Sequence, residues 1–237
     1  MTISSPHNPR LRQIRQLSNR RRERERTGQF VAEGEDLLAA AEKAGWPASE
    51  RYVASGSGLD GVEVEAQLLA RASQLGSGTR ALGVFAARWA VPVGPRCVYL
   101  HGVSDPGNVG AVLRSALAFG ASSVALGPGC ADPYGPKAVR ASMGAIFAVP
   151  VGRVAGVDGV PRPRIALAAR TGAPLGALEL PREATLVVGA EREGLPREVL
   201  EVCEYVAHIP IAPGADSLNA AMAATIALYE AHRMPGA

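Results

Sequence analysis

Five side chains in this chain have the types and spacing to do chemistry together. Asn108 and Arg114 lie six residues apart in DPGNVGAVLRSALAFG, Glu191 sits in LVVGAEREGLP, and Ser217 and Asn219 sit in IPIAPGADSLNAAMAATIALYEAHR. An amide and a guanidinium at the start of a small-residue helix can handle an anion, since Arg binds phosphate in a bidentate fork and helix N-termini offer free N–H groups. Ser217 has a bland reading as a helix N-cap. Asn219 has none, because Asn is a poor choice within a first helical turn built of alanines. Gly189 ends an apolar strand, where a missing side chain lets the main chain approach a flat ligand.

The elements around these residues alternate. From Cys97 on, CVYLHGV, SSVALG, FAVPV, RIALAA, TLVVGA and VAHIPI read as strands, and a long helix is expected from Ser217 to His232. The strands are nearly continuous apolar runs, so the sheet is expected to be parallel and covered on both faces. Ligands of such sheets collect outside the carboxyl ends of the strands, where Gly189 and Ile209 fall. Met222, Ile226 and Tyr229 are expected in the core. Ahead of this half, Asn8–Arg26 reads as polar helix and QFVAEGEDLLAAAEKAG as a strand entering a helix that stops at Gly45. RYVAS and TRALGVFA read as strands and VEAQLLARASQLG as a helix, forming a small α/β module, with WAVPVGPR as a linker. The expected division is residues 1–90 and 91–237.

Charge is unevenly spread. The net charge is only +3, yet the first 30 residues hold eight arginines against Glu23 and Glu25. A cationic stretch of this kind attracts nucleic acid by counterion release, and Arg10, Arg12, Arg15, Arg20, Arg21 and Arg22 are the candidate RNA-binding residues. The alternative is a solvated helix laced with Arg–Glu pairs. Cys97, Cys130 and Cys203 lack metal-ligand spacing and read as reduced thiols of a cytoplasmic protein, with no metal site expected. No apolar run nears the length of a membrane span. Gly56–Gly61 matches G-x-G-x-x-G, but no carboxylate follows about twenty residues on to hold a ribose, so it reads as a turn rather than a dinucleotide site.

Order and spacing then add to the residues. N-x-x-x-x-x-R, followed by G-x-E-x-x-G-L, followed by I-P with S-L-N eight residues after the isoleucine, resembles the three motifs of the SpoU/TrmH family of SPOUT RNA methyltransferases over Cys97–Arg233. NPRLRQIRQL and GQFVAEGEDLL resemble, more loosely, the L30e-like substrate-binding domain that many members carry in front. Ala190 and Arg192 flank the glutamate where Ser and Gly are common in the family, and Ala220-Ala221 replace the usual Val-Ser.

The resemblance implies an α/β fold with a deep C-terminal trefoil knot, which chain physics alone would not predict because threading is almost always avoided. It implies S-adenosyl-L-methionine as cofactor, contacted by Gly189, Ile209 and Leu218. The implied reaction is methyl transfer to a ribose 2′-hydroxyl, with Arg114, Asn108, Glu191, Ser217 and Asn219 as site residues. It further implies a homodimer through the catalytic domain, with Arg114 close to the partner subunit. An accessory domain resembling a ribosomal-protein fold favours 23S ribosomal RNA as substrate. The alternatives are a transfer-RNA 2′-O-methyltransferase and a non-catalytic RNA-binding protein that retains the knot.

Overall fold

In a computed structural model of the chain, the described residues are 2–74, 78–179, 181 and 183–233. The elements of the first half are α1 (Pro9–Asn19), α2 (Arg21–Thr27), β1 (Gln29–Glu33), α3 (Glu35–Lys43), β2 (Glu50–Ala54), β3 (Val62–Val64), α4 (Ala66–Ala72) and β4 (Ala81–Ala86). There follow β5 (Cys97–Leu100), α5 (Pro106–Ala118), β6 (Ser123–Leu126), α6 (Pro136–Ala141), β7 (Val151–Arg153), β8 (Arg164–Leu167) and β9 (Ala173–Pro174). The chain closes with β10 (Thr185–Val188), α7 (Arg197–Glu201), β11 (Tyr205–His208) and α8 (Ala220–Arg233).

Two compact units form. The first is Met1–Arg88 together with Asp132–Ala148, and the second is Trp89–Ala131 with Val149–Ala237. A single division at residue 90 therefore misses the return of Asp132–Ala148 to the first unit.

The first unit carries a four-stranded sheet in the order β1-β4-β2-β3. Asn8 caps α1 by accepting from the Arg10 amide, and Pro9 at the first helical position supplies a ready-made φ. The predicted single polar helix is two, because Arg20 is extended (φ −126°, ψ 111°) between α1 and α2. Leu11, Ile14 and Leu17 recur at helical spacing and pack with Val31, Tyr52, Leu69 and Leu82. The helix expected over VEAQLLARASQLG is α4; Leu75 and Gly76 at its end lie outside the described residues. Gly56 and Gly58 take positive φ in the link between β2 and β3, as a turn requires.

The returning segment is held by an ion pair and by rings. Arg24 is buried, pairs with Asp132 at 2.7 Å and donates to the Leu17 carbonyl at 2.6 Å, so it is structural and not part of a solvated cationic face. Tyr134 and Phe147 join Phe30, with ring centroids 4.7 and 5.9 Å away, while Phe85 and Trp46 pack on Phe147 at 4.9 and 5.6 Å. FAVPV is thus not a strand at its start. Phe147 ends a 3₁₀ turn that fills this aromatic cluster, and β7 begins only at Val151.

The second unit is built on a seven-stranded sheet in the order β7-β6-β5-β10-β8-β11-β9, with every neighbouring pair parallel. β5, β6 and β10 are buried at every position, as their unbroken apolar runs require. Tyr99, Val187 and Val199 share a core cluster with Cys97 and Ala125, and burial pushes the Tyr99 hydroxyl up to about 12. α5 and α8 pack together, with Ser115 Oγ 2.6 Å from Thr225 Oγ1. Met222, Ile226 and Tyr229, expected in the core, stand exposed on α8, Met222 by 62%. Among the described residues no helix is long and apolar enough to cross a membrane, and no group of three or more His, Cys, Asp or Glu could hold a metal ion.

Removing Arg24 alone strands a buried carboxylate, which costs roughly 3–5 kcal/mol, whereas replacing both partners by apolar residues of similar volume is close to neutral. We expect Arg24→Met to lower the urea midpoint strongly and Arg24→Met/Asp132→Leu to recover most of that loss. Equal loss in the single and double variants would show that the pair is not what anchors the segment.

Candidate active site

Three loops at the carboxyl ends of β8, β10 and β11 surround a cavity of about 550 Å³. Gly189, Glu191, Ile209, Ser217 and Leu218 all line it, so five of the predicted site residues share one space. Leu167, Val188, Leu195 and Leu200 contribute apolar wall. The charged lining is Glu191, Glu193 and Asp216 against Arg192; Asp216 pairs with Arg170 at 3.5 Å, so Glu191 and Glu193 carry most of the field that favours a cationic ligand.

Gly189 is required by the chain itself. A Cβ there would come within 2.6 Å of the Leu195 amide nitrogen and closer still to the Gly194 carbonyl group. The loop 190–195 doubles back over the end of β10, closed by the Gly194 amide donating to the Ala190 carbonyl at 3.0 Å. The expected close approach at Gly189 is therefore met first by the protein's own backbone.

Asn108 and Asn219 stand outside the cavity lining but reach its wall. Asn219 Nδ2 donates to Asn108 Oδ1 at 3.1 Å, and Asn108 Nδ2 donates to Glu191 Oε1. Asn219 also corrects the sequence reading of the last helix. It is the residue that caps α8, its Oδ1 accepting from the Ala221 and Met222 amides at 2.9 and 3.3 Å, and Ser217 lies in the preceding loop. A second correction concerns the start of α5. Its free amides were expected to meet an anion, but Asp105 supplies that anion internally, accepting from the Gly107 and Asn108 amides at 2.6 and 3.2 Å.

Arg114 is not brought to the cavity. It lies exposed on α5 and makes no ion pair among the described residues. Of the candidate RNA-binding arginines, Arg10 pairs with Glu50 at 3.9 Å, Arg15 donates to the Pro6 carbonyl and Arg21 pairs with Glu25. Arg12, Arg20 and Arg22 are exposed and have no carboxylate partner among the described residues. What sequence reasoning missed is the wall of Leu167–Ala169 after β8 and the Glu193 and Asp216 carboxylates. The acidic residues carry no motif signal, but an apolar strand ending in small residues was visible in RIALAA.

Residues 95–229 match the SpoU rRNA Methylase family, and residues 8–82 match the MRM3-like substrate binding domain. The chain belongs to the SpoU rRNA methylase family. It is similar over 98% of its length, at 29% identity, to an uncharacterized tRNA/rRNA methyltransferase of Synechocystis, covering 93% of that protein. It is 36% identical over 55% of its length to the 23S rRNA (uridine(2479)-2′-O)-methyltransferase of Streptomyces viridochromogenes, spanning 50% of that relative. Among solved structures, the AdoMet-bound rRNA methyltransferase from Sinorhizobium meliloti superimposes with a TM-score of 0.86 at 29% identity, over 98% of this chain and 97% of that one.

The residues present fit S-adenosylmethionine. The cavity falls within the range of cofactor sites, its apolar walls can cover an adenine, and its carboxylates complement a sulfonium and an ammonium. The family uses this cofactor. Gly189→Ala should abolish S-adenosylmethionine binding in a calorimetric titration, because the added methyl must displace backbone rather than a flexible side chain. Wild-type affinity in that variant would show that the loop can move aside.

Proposed function

We propose that this chain methylates a ribose 2′-hydroxyl of 23S ribosomal RNA in the cytoplasm. The observation that carries the reading is the cavity at the carboxyl ends of β8, β10 and β11, walled by two of the family's motifs and tied to the remaining one through Asn108. The family match, and the 23S rRNA named for the Streptomyces relative, support ribosomal over transfer RNA. The proposal includes the trefoil knot of the family. Insertion of β10 between β5 and β8, and the doubling back of the Gly189 loop, are the features that support it.

S-adenosylmethionine, when bound, supplies the electrophilic methyl group. Gly189, Ile209 and Leu218 hold it through main chain and apolar surface. The chain's own task is to align a ribose hydroxyl and assist loss of its proton. Asn108, Ser217 and Asn219 orient the nucleophile, with Glu191 fixing the Asn108 amide. A guanidinium offers five donors and no acceptor, so Arg114 acts by gripping the target phosphate and not as the base.

Mapping methylated riboses in 23S rRNA with and without the gene tests the reaction, and an unchanged map would overturn it. Arg114→Lys keeps the charge but loses the fork. We expect kcat/KM to fall about 10- to 100-fold with cofactor affinity unchanged, while full activity would refute the phosphate grip.

We further propose that two copies associate through the α5–α8 face. Met222, Ile226 and Tyr229 recur at i, i+4 and i+7 on α8, and Leu117 is exposed on α5, three residues from Arg114. A contiguous exposed apolar face marks an interface, and a two-fold axis would set Arg114 beside the partner. Met222→Asp should yield a monomer in light scattering. A monomeric wild-type protein would end this part of the proposal.

A further inference from the structure

A second cavity, of about 250 Å³, lies within the first unit. One wall is the end of β1 and the first turn of α3, with Val31, Asp36 and Leu37; the other is α6 and the turn after it, with Val139, Arg140 and Met143. The second wall comes from the returning segment, so residues 8–82 alone could not form it. The space falls just below the roughly 300 Å³ at which drug-sized pockets begin, which is the scale of a single flat ring system.

Its chemistry is divided. Val31, Leu37 and Val139 are buried apolar surface. Glu33 also borders the space, but its carboxylate is engaged by Ser73 Oγ at 2.8 Å and the Gln74 amide at 2.9 Å. Asp36 is exposed and makes no ion pair among the described residues, and no side chain caps α3. Met143 stands at the rim, 60% exposed, with φ 49°, a left-handed conformation that non-glycine residues rarely adopt. Met143 follows the C-cap of α6, where a left-handed residue ends the helix, and its thioether at the rim can slide over the face of a ring. Arg140 is exposed and likewise has no carboxylate partner among the described residues. Gln74 joins Glu33 to Asn19 Oδ1 (3.0 Å from its Nε2), directly before Arg20, Arg21 and Arg22.

We propose that this cavity receives an unpaired guanine of the RNA, an inference that rests on the chain acting on RNA. Guanine alone presents two adjacent donors, N1–H and the N2 amino group, to a single carboxylate, and Asp36 is the carboxylate free to accept both. An uncapped first-turn amide of α3 can donate to O6. Val31, Leu37, Val139 and Met143 cover the ring faces. Arg140, Arg20 and Arg22 hold the flanking phosphates, which carry no base information.

The test uses the full chain and three labelled nine-nucleotide RNAs: all uridine, or uridine with one central guanine or one central adenine. Fluorescence anisotropy should show the guanine oligomer bound about tenfold more tightly than the other two. Asp36→Asn should erase that advantage while leaving the all-uridine RNA unchanged. Arg140→Ala should weaken all three alike. Equal affinity for the three RNAs, no binding of any, or a guanine preference that survives Asp36→Asn would overturn the proposal. Cofactor titration and ribose mapping in 23S rRNA are run in parallel. If wild-type protein methylates rRNA but shows no guanine preference, only the pocket fails; if it methylates no rRNA, the reaction proposed above fails.

Discussion

The side-chain amide of Asn108 is the group on which the site's geometry turns. An amide donates from one end and accepts at the other, and here both ends are used across great sequence distance, to Glu191 and from Asn219. The direction of the chain is set at α8, where Asn219 must present its oxygen to the Ala221 and Met222 amides and so has only its nitrogen left for Asn108. Asn108 must then turn its own nitrogen toward Glu191. An aspartate at 108 could accept from Asn219 but would face Glu191 as a like charge. Helix capping, a local and generic interaction, thus fixes the orientation of a group on the wall of the cavity.

Much of this was legible from the residues. The parallel sheet was readable because both of its faces are covered, leaving Val, Leu and Ile in unbroken runs, and the five cavity-lining site residues follow from motif order. The misses have separate physical causes. β9 is two residues long and contains Pro174, so it carries no periodic signal. Ser217 and Asn219 are both good caps, and which of them begins a helix is decided by the packing of the preceding loop. Met222, Ile226 and Tyr229 have the spacing of a buried stripe, and spacing does not distinguish burial within a chain from burial by a second copy.

The division of the chain was the least legible feature. Arg24 belongs to a run that reads as a cationic stretch, because sequence shows charge but not pairing, yet in the fold it is buried against Asp132. Phe147 reads as the start of a strand of the second half, while its ring and that of Tyr134 complete the cluster around Phe30. The Pro/Gly-rich residues 127–136 read only as a loop, and nothing in them marks a segment that leaves one unit between β6 and β7 and finishes the core of another. The consequence reaches beyond packing. The first unit cannot be separated from the catalytic sequence without losing both its aromatic core and one wall of its cavity.

The near-neutral balance of the whole chain conceals two opposed local fields. Arg12, Arg20 and Arg22 in the first unit lie without carboxylate partners among the described residues, while Glu193 and Asp216 stand with Glu191 around the cavity of the second. In the proposed reading, a polyanion is drawn to the first field and a cationic cofactor to the second. The two attractions also respond differently to salt. Contacts with a polyanion weaken steeply as counterion release loses its advantage, whereas a small cofactor seated on apolar walls releases few counterions. Raising ionic strength should therefore release RNA well before it releases cofactor, so the two affinities can be varied independently by salt alone.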